Sequence, residues 1–238
     1  MQFLDGTLPT LAENLALDEA LLLEAESGRG GEILRLWEWP EPAVVLGSGC
    51  RLAEDADDNA CLADRVPILR RSSGGGTVLL GAGCLCFSLV LSYERSPILR
   101  DIRPSYCHIL ARIRNALSGI LPGIACAGTS DLAVNGRKFS GNSQQRKRRF
   151  LLHNGTLLYD FDLDPLSRYL RMPARQPDYR CERDHAAFLT NLPINAVDLR
   201  RCLRTAWEAD TESVTWPRDL VRQLVEEKYN RPEWTRRS

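Results

Sequence analysis

The hydrophobic positions of this chain fall into short blocks whose spacing switches repeatedly between helical and extended periods. Residues 11–26 are rich in Leu and Ala and follow Thr10, which has Glu13 three residues later. This capping-box spacing predicts a buried helix. Residues 33–37 alternate and predict a strand, while residues 84–92 form the most continuous apolar run, which favours a strand in the core.

The same patterns predict further elements of both kinds. Strands are expected over residues 43–47, 66–69, 150–153 and 156–161, and helices over residues 54–64, 104–120, 165–170 and 220–229. Asn135-Gly136, between two short extended runs, indicates a β-hairpin. We find no repeat, low-complexity tract or linker, and we therefore expect one domain over residues 1–238. Strands with helices between them predict an α/β or α+β fold, with a mixed β-sheet flanked by helices.

Composition narrows the class of protein. The chain has 238 residues, 44% of them apolar and 26% charged, as in ordinary globular domains. Its 31 basic and 31 acidic residues cancel, which argues against a general binder of nucleic acid or anionic membranes. No apolar stretch approaches the roughly 20 residues of a membrane span. The N-terminus lacks the basic region of a secretory signal, so the eight scattered cysteines are expected to be reduced thiols in the cytoplasm.

The basic residues are unevenly divided between 28 arginines and only three lysines, Lys138, Lys147 and Lys228. Lys138 follows the Asn135-Gly136 turn, where backbone on both sides would hold it. A lysine is a compact point charge with movable donors, unlike the planar fork of arginine. The use of lysine at position 138 suggests a functional site in which arginine could not replace it. The ordinary alternative is a lysine on a strand that faces solvent.

A glycine-rich segment, RRSSGGGTV at residues 70–78, is the first candidate site. Three consecutive glycines permit close approach to the backbone, and their N–H groups can point at an anion. Arg70 and Arg71 add fixed positive charge suited to phosphate. The frames of a P-loop and of a dinucleotide-binding loop are both absent. The alternative is a flexible turn with solvated arginines.

Several other polar residues have both a functional and a structural interpretation. The basic run at residues 146–149 could dock an acidic partner or RNA, or be a solvated loop. His153 could orient a ligand or be a hydrogen-bonded strand residue. Asp131 could bind a cation or cap a turn. Cys126 could be a nucleophile or a structural cysteine. Cys84 and Cys86, without a second pair at metal spacing, are expected to be core thiols.

Several motifs occur in a defined order along nearly the whole chain. They are NLALDE at residues 14–19, the segment at 70–78, SDL at 130–132, GRKFSG at 136–141, HNGTLL at 153–158, KY at 228–229 and EW at 233–234. In this order they resemble the lipoate–protein ligase family, part of the biotin/lipoate protein ligase superfamily. The resemblance implies a catalytic domain with the class II synthetase or biotinyl-lipoyl ligase-like fold.

The resemblance also implies roles for individual residues. Residues that would line an ATP site are Arg70, Gly75, Gly76, Thr77 and Val78. Lys138 would be catalytic and bridge the carboxylate of lipoate and the α-phosphate, with Asp131 near the phosphates or Mg²⁺. The acid substrate would also contact Ser73, Gly74, Gly141 and His153. We expect Trp37, Leu85 and Phe87 to line an apolar tunnel for its tail.

The activity that the resemblance implies is that of an ATP-dependent lipoate–protein ligase. Such an enzyme activates lipoate or octanoate as an acyl-adenylate and transfers the acyl group to a lysine of a lipoyl domain. Acceptors of this kind are the E2 subunits of 2-oxoacid dehydrogenases and the glycine cleavage H protein. No nucleic-acid or membrane partner is expected.

The chain departs from the family pattern in three places. The family often has His-Asp-x-Gly-Asn after the glycine loop, where residues 80–84 read LGAGC, and His-His-Gly where residues 153–155 read HNG. The sequence ends soon after Trp234, so we expect no C-terminal accessory domain. In some related systems a separate protein supplies that part, and such a partner is a further expectation.

Two alternatives remain. A related octanoyltransferase would move octanoyl from acyl-carrier protein to the acceptor lysine through a cysteine thioester, without ATP, and Cys126 is its candidate nucleophile. Cys126 lies only six residues before Leu132, and residues 128–132, GTSDL, look more like the ligase's Gly-Arg-Asn-Asp-Leu. The ligase is therefore favoured. A non-catalytic module that binds through residues 146–149 would be salt-sensitive and indifferent to Lys138.

Overall fold

Strands pair into two sheets in the computed structural model, which describes residues 1–213 and 215–237. The strands are β1 (Gln2–Asp5), β2 (Ile33–Glu38), β3 (Ala43–Leu46), β4 (Ile68–Arg70), β5 (Val78–Leu80), β6 (Cys84–Ser92), β7 (Ile124–Ala127), β8 (Asp131–Val134), β9 (Arg137–Arg146), β10 (Phe150–Leu158) and β11 (Thr211–Glu212). The larger sheet has the order β11-β1-β2-β6-β10-β9-β8-β7, and the smaller β4-β3-β5. Parallel pairs join β1 to β2 and β11, and β3 to β4, so the predicted mixed sheet is confirmed.

Helices flank these sheets, as the sequence pattern predicts. They are α1 (Leu11–Ser27), α2 (Leu52–Asp55), α3 (Asp58–Ala63), α4 (Ile102–Ser118), α5 (Leu166–Tyr169), α6 (His185–Phe188), α7 (Ala196–Ala206), α8 (Arg218–Leu224) and α9 (Pro232–Thr235). Two 3₁₀ turns (Pro97–Arg100 and Asp178–Arg180) and a π-helical turn (Val225–Tyr229) complete them. Within residues 1–213 and 215–237, no helix has the length and apolar character needed to cross a membrane.

Helix α1 begins and ends where its sequence predicts. The Thr10 hydroxyl accepts from the Glu13 N–H, and the Glu13 carboxylate accepts from the Thr10 N–H, which completes the capping box. Gly28 ends the helix with a φ of 85°. Most of the helix is buried because it shares one apolar cluster with the larger sheet, the smaller sheet and α8.

The larger sheet is buried on both faces. On β6, Cys86 and Val90 belong to the cluster around α1, while Phe87 and Leu89 belong to a second cluster that contains α4 and α7. Burial on both faces explains why β6 is a continuous apolar run rather than an alternating one. The chemistry described below lies on the α1 face.

Strand β10 corrects one expectation. Asn154-Gly155 was expected to separate two strands, but β10 continues through both residues. A Cβ atom on Gly155 would lie 2.3 Å from Asn142 Oδ1 and 2.3 Å from the Phe87 ring. Glycine is therefore required here by close packing and not by a turn. The true hairpin is at Asn135-Gly136, whose φ angles are 51° and 71°.

Other differences concern short or amphipathic elements. The expected helix over residues 54–64 is divided into α2 and α3. Strands β1, β5, β7 and β11 are only two to four residues long and carry too few side chains for a periodic signal. Helix α7 buries only Leu199 and Leu203 in its second and third turns, and it was not predicted.

Candidate active site

A cavity between α1, the glycine-rich loop and the larger sheet has two chambers that share one wall at Lys138. The inner chamber has a volume of about 150 Å³ and the outer chamber about 430 Å³. The residues common to both are Gly76, Thr77, Val78, Ser130, Asp131, Lys138, Gly141 and Thr156. The two segments that sequence reasoning singled out, 70–78 and 130–141, thus meet at one place.

A β-bulge determines the face of the sheet on which the Lys138 side chain lies. Ser140 pairs with Leu132, but the next pair is Lys138 with Ala133, so Phe139 is the additional residue. Cross-strand partners share a face of the sheet, and Lys138 therefore lies on the same face as Ala133 and Asp131. Without the bulge, Lys138 would pair with Val134 and face the α4 side.

Asp131 positions Lys138 through an ion pair. Asp131 Oδ1 lies 2.8 Å from Lys138 Nζ, and Asp131 Oδ2 accepts a hydrogen bond of 2.8 Å from the Tyr179 hydroxyl. Burial, followed by the charge of Asp131, raises the pKa of Tyr179, so its hydroxyl stays protonated and donates. Asp131 is buried and Lys138 about a quarter exposed, which leaves the ammonium accessible from the cavity.

The same contacts bear on the expected magnesium role of Asp131. Both of its carboxylate oxygens contact protein donors. The described residues contain no group of three His, Cys, Asp or Glu side chains that could hold a metal ion. Because Mg²⁺ is commonly bound through one or two carboxylates together with substrate phosphates, the contact of Asp131 with Mg²⁺ stays a prediction.

Gly141 leaves room for the lysine. A Cβ atom at this position would lie 2.8 Å from Lys138 Nζ and 2.9 Å from its Cε. Any larger residue would displace the end of the lysine side chain. Gly141 thus lines both chambers and keeps the ammonium in the shared wall.

The glycine-rich loop is held in shape by Arg71. Its guanidinium donates to the carbonyls of Gly74 at 2.6 Å and Gly76 at 2.8 Å, and to Ser73 Oγ at 3.2 Å. Burial lowers the pKa of Arg71 to about 10, and the side chain remains a cation at neutral pH. Gly75 has a φ of 80°, a conformation that favours glycine.

The loop presents a free polar atom to the cavity. Thr77 lines both chambers, and its Oγ1 is buried without a hydrogen-bond partner among the described residues. A buried hydroxyl without a partner is costly, so this atom is suited to a ligand.

The inner chamber is largely apolar but has a polar end. Trp37 and Phe87 line it as expected, whereas Leu85 is fully buried and does not. Asp18 also lines it, 2.6 Å from the buried Arg35. Burial raises the pKa of Asp18, and the charge of Arg35 opposes that rise.

The outer chamber is basic, which sequence reasoning missed. Its lining includes Arg171, Arg175 and Arg180 from the segment between α5 and α6, and His185 at the start of α6. Thr190 N donates to the Lys138 carbonyl at 2.9 Å, which holds the chain just after α6 beside β9. Arginine is frequent over residues 171–183, and this was a signal in the sequence. Acidic residues lie between these arginines, so the sequence did not show that several of the arginines face one cavity.

Arg70 lies away from both chambers. It is 1% exposed, and within residues 1–213 and 215–237 its guanidinium donates only to backbone carbonyls, among them those of Cys50 at 2.6 Å and Thr235 at 2.8 Å. The structure therefore does not bring Arg70 to the expected nucleotide site. The cation of the RR pair that reaches the cavity is Arg71.

Three further expected contacts lie behind the cavity wall. His153 is fully buried, with Asn142 Oδ1 3.1 Å from its Nε2 and Gln144 Nε2 3.2 Å from its Nδ1. Burial lowers the pKa of His153 to about 3, so the ring is neutral. Ser73 and Gly74 do not line either chamber, and Ser73 Oγ is 3.0 Å from Ser143 Oγ. These residues support the wall.

Cys126 lies on the other side of the sheet. It pairs with Leu132, whose side chain belongs to the α4 cluster, and cross-strand partners share a face. Partial burial raises the pKa of the Cys126 thiol, and the charges that act on it come from Arg114 and Cys107 of α4. The cavity does not include Cys126. The structure therefore places Cys126, the nucleophile of the alternative octanoyltransferase hypothesis, outside this cavity.

The basic run at residues 146–149 is divided by its contacts. Arg146 turns inward and donates to the Arg100 carbonyl at 2.8 Å, and Arg149 N donates to Glu26 at 3.0 Å. Only Lys147 and Arg148 of the run are free of a side-chain bond among the described residues. This leaves little of the surface that a binding module would use.

A mixed sheet flanked by helices, with a divided cavity and a lysine in the shared wall, is the architecture of a class II synthetase-like domain. The family model of the lipoyl protein ligase A/B catalytic domain matches residues 10–194. The chain belongs to this family of lipoate ligases and octanoyltransferases, and the family resemblance seen in the sequence is confirmed.

Relatives of two kinds resemble the chain. Octanoyltransferase LipM of Carboxydothermus hydrogenoformans is 28% identical over 265 residues, which cover 98% of this chain and 97% of that protein. A bi-partite lipoate protein ligase from Thermoplasma acidophilum has a TM-score of 0.81 at 22% identity, covering 99% of this chain and 95% of that one. A lipoate-protein ligase A bound with ATP has a TM-score of 0.81 at 21% identity, covering 99% of both chains. The solved structures share the fold.

Proposed function

We propose that this protein is an ATP-dependent lipoate–protein ligase, which activates lipoate or octanoate as an acyl-adenylate and transfers the acyl group to a lysine of a lipoyl domain. The observation that carries the proposal is the junction of the two chambers at Lys138. An apolar inner chamber suits an acyl tail, and a basic outer chamber suits an anionic donor group.

Lys138 would act on the first step by reducing charge repulsion. The acid carboxylate must approach the α-phosphate, and two like charges 4 Å apart repel by about 4 kcal/mol at an effective dielectric constant of about 20. An ammonium between them offsets that repulsion. The carboxylate oxygen then forms a bond to the α-phosphorus as pyrophosphate leaves, and the glycine loop, Thr77 and the outer arginines would hold the phosphates.

In the second step, the amine of the acceptor lysine attacks the acyl carbonyl. The new amide bond replaces the bond to AMP, which leaves, and the amine loses a proton. Lys138 would again stabilise the negative charge that develops in the shared wall. The largely apolar lining of the inner chamber would limit hydrolysis of the mixed anhydride by disfavouring water next to its carbonyl.

The placement of Cys126 supports the ligase over the transferase. A thioester on Cys126 would form on the α4 face of the sheet, while the candidate acyl chamber is on the α1 face. One observation favours the octanoyltransferase: an octanoyltransferase relative matches this chain over almost its full length. It is therefore the second candidate, with a donor thioester in the outer chamber.

Intact-mass measurement of an apo lipoyl domain distinguishes these functions. The protein is mixed with the domain, lipoate and ATP-Mg²⁺, or with the domain and octanoyl-acyl-carrier protein without ATP. A gain of one lipoyl group that requires ATP is expected. Acylation from the carrier without ATP, lost in Cys126→Ala, would establish the transferase instead.

A lysine pair provides the matched variants. Lys138→Ala should lower the rate about 10²- to 10³-fold, the cost of losing one preorganised charge-stabilising group. Lys147→Ala, an exposed lysine outside the cavity, should retain the wild-type rate. Equal rates for Lys138→Ala and Lys147→Ala would exclude the proposed role of Lys138.

A further inference from the structure

We infer that the C-terminal segment, residues 228–237, positions the glycine-rich loop, and that Arg70 is the positioning residue that joins them. That this loop binds the phosphates of ATP rests on the proposed function. That the C-terminal segment positions the loop rests on contacts alone. The two statements can be tested separately.

Arg70 binds the C-terminal segment with one side of its guanidinium. Its Nε donates to the Trp234 carbonyl at 2.9 Å, and its second terminal nitrogen donates to the carbonyls of Thr235 at 2.8 Å and Arg237 at 3.0 Å. In return, the Trp234 indole N–H donates to the Arg70 carbonyl at 2.8 Å. The pairing is reciprocal, and it fixes both the side chain and the backbone of Arg70.

The other side of the same guanidinium binds the turn after β3. One terminal nitrogen donates to the carbonyls of Gly47 at 3.0 Å and Cys50 at 2.6 Å. A guanidinium with five fixed donors can serve two backbone segments at once, which an ammonium cannot do in the same geometry. Arg70 is therefore a bridge between residues 47–50 and the C-terminal segment.

The turn at residues 47–50 in turn contacts the glycine loop directly. Ser48 N donates to the Ser73 carbonyl at 2.9 Å, and Cys50 Sγ lies 3.4 Å from the Gly75 carbonyl. A Cβ atom on Gly47 would lie only 1.9 Å from the same Gly75 oxygen. A shift of this turn must therefore move Gly75, which lines the inner chamber.

Lys228 anchors the start of the segment. Its ammonium lies 2.7 Å from the buried carboxylate of Glu19 on α1, which also accepts a 2.8 Å hydrogen bond from the Tyr229 hydroxyl. The ammonium lies 4.2 Å from the centre of the Trp234 ring. The third lysine of the chain thus holds the tryptophan that pairs with Arg70.

Trp234→Phe tests the coupling, because it removes the indole N–H and retains an aromatic ring. Hydrogen exchange of a peptide covering residues 72–78 should become faster in the variant. The KM for ATP should rise about two- to tenfold, the effect of one lost hydrogen bond, with kcat unchanged. Trp216→Phe, in a half-buried tryptophan outside these contacts, is the matched control and should change neither.

Two results would overturn the inference. One is unchanged exchange of residues 72–78 in Trp234→Phe. The other is a uniform increase in exchange over the whole chain, with a lower urea midpoint and an unchanged KM, which would indicate a merely structural contact. If wild-type protein shows no reaction with ATP, the proposed function fails, whereas the exchange measurement still decides the coupling.

Discussion

At the scale of single residues, the supporting wall of the site depends on a histidine that carries no charge. His153 lies between Phe87 and Tyr106, with ring centroids 6.0 and 5.5 Å away, and its two nitrogens are bound by Asn142 and Gln144. Burial lowers the pKa of His153 to about 3. A proton on this ring would be buried with no acidic partner among the residues that the structure describes, which is costly.

Stability should therefore fall in mild acid. The pKa of His153 in the folded protein lies below its ordinary value of about 6.5. The unfolded chain therefore binds the proton more readily than the folded protein does. The free energy of unfolding should then decrease as the pH falls from about 6.5 toward 3. Between pH 7.5 and 5.5, wild type should lose about 1 kcal/mol of unfolding free energy more than His153→Gln. Urea denaturation at both pH values measures this, and parallel losses in the two proteins would contradict it.

Lys138 shows how far single residues could be predicted. Lysine is scarce in this chain, and Lys138 follows the Asn135-Gly136 turn; both features were visible in the sequence. The structure places Lys138 in the wall that the two chambers share. Its ion pair with Asp131 depends on a bulge at Phe139, and no periodic pattern in the sequence predicts that bulge. Arg70 and Arg71 are adjacent in sequence, but only the fold decides that one binds carbonyls and the other the loop.

At the scale of elements, β10 depends on a glycine in its interior. Strand β10 pairs with β6 on one side and β9 on the other, so Gly155 lies opposite both Phe87 and Asn142. Separate strands were expected on either side of Asn154-Gly155, yet this dipeptide is extended within one strand. Neighbouring strands leave no room for a side chain, and that constraint is not local.

Gly155→Ala should destabilise the protein by about 1–3 kcal/mol, as expected for overpacking of a dense core. Gly31→Ala is the matched control, because a Cβ atom there meets nothing within 4 Å, and its effect should stay within about 0.5 kcal/mol. Urea midpoints of both variants measure the difference. Equal midpoints would show that β10 can shift to admit a methyl group.

At the scale of the whole molecule, one buried ion pair joins α1 to the larger sheet beneath the inner chamber. Arg35 of β2 is fully buried and donates to Asp18 Oδ1 at 2.6 Å and to Asn14 Oδ1 at 2.6 Å. Asp18 also accepts from Asn154 of β10 at 3.2 Å. The pair therefore fixes the helix that forms one wall of the cavity.

Arg35→Met should destabilise the protein by about 3–5 kcal/mol, because it leaves the Asp18 carboxylate buried without a counter-charge. Adding Asp18→Asn to the same chain removes that charge and should recover part of the loss. Urea denaturation of the single and double variants measures the recovery. A double variant that is less stable than Arg35→Met would contradict the account.

The sequence by itself determined the elements with strong local signals: α1 between its capping box and Gly28, the hairpin at Asn135-Gly136, and the buried strand β6. It also indicated the two segments that line the cavity, and the order of motifs indicated the family. These features depend on neighbours within a few residues along the chain, where period and turn chemistry act.

Only the tertiary structure decided which side chains reach the cavity. It directed Cys126 to the opposite face of the sheet, buried His153 behind the wall, turned Arg70 toward the C-terminal segment, and brought the arginines of residues 171–180 into the outer chamber. Each outcome depends on strand register, sheet face or a contact between distant segments. Such relations depend on packing in space and leave no periodic pattern in the sequence.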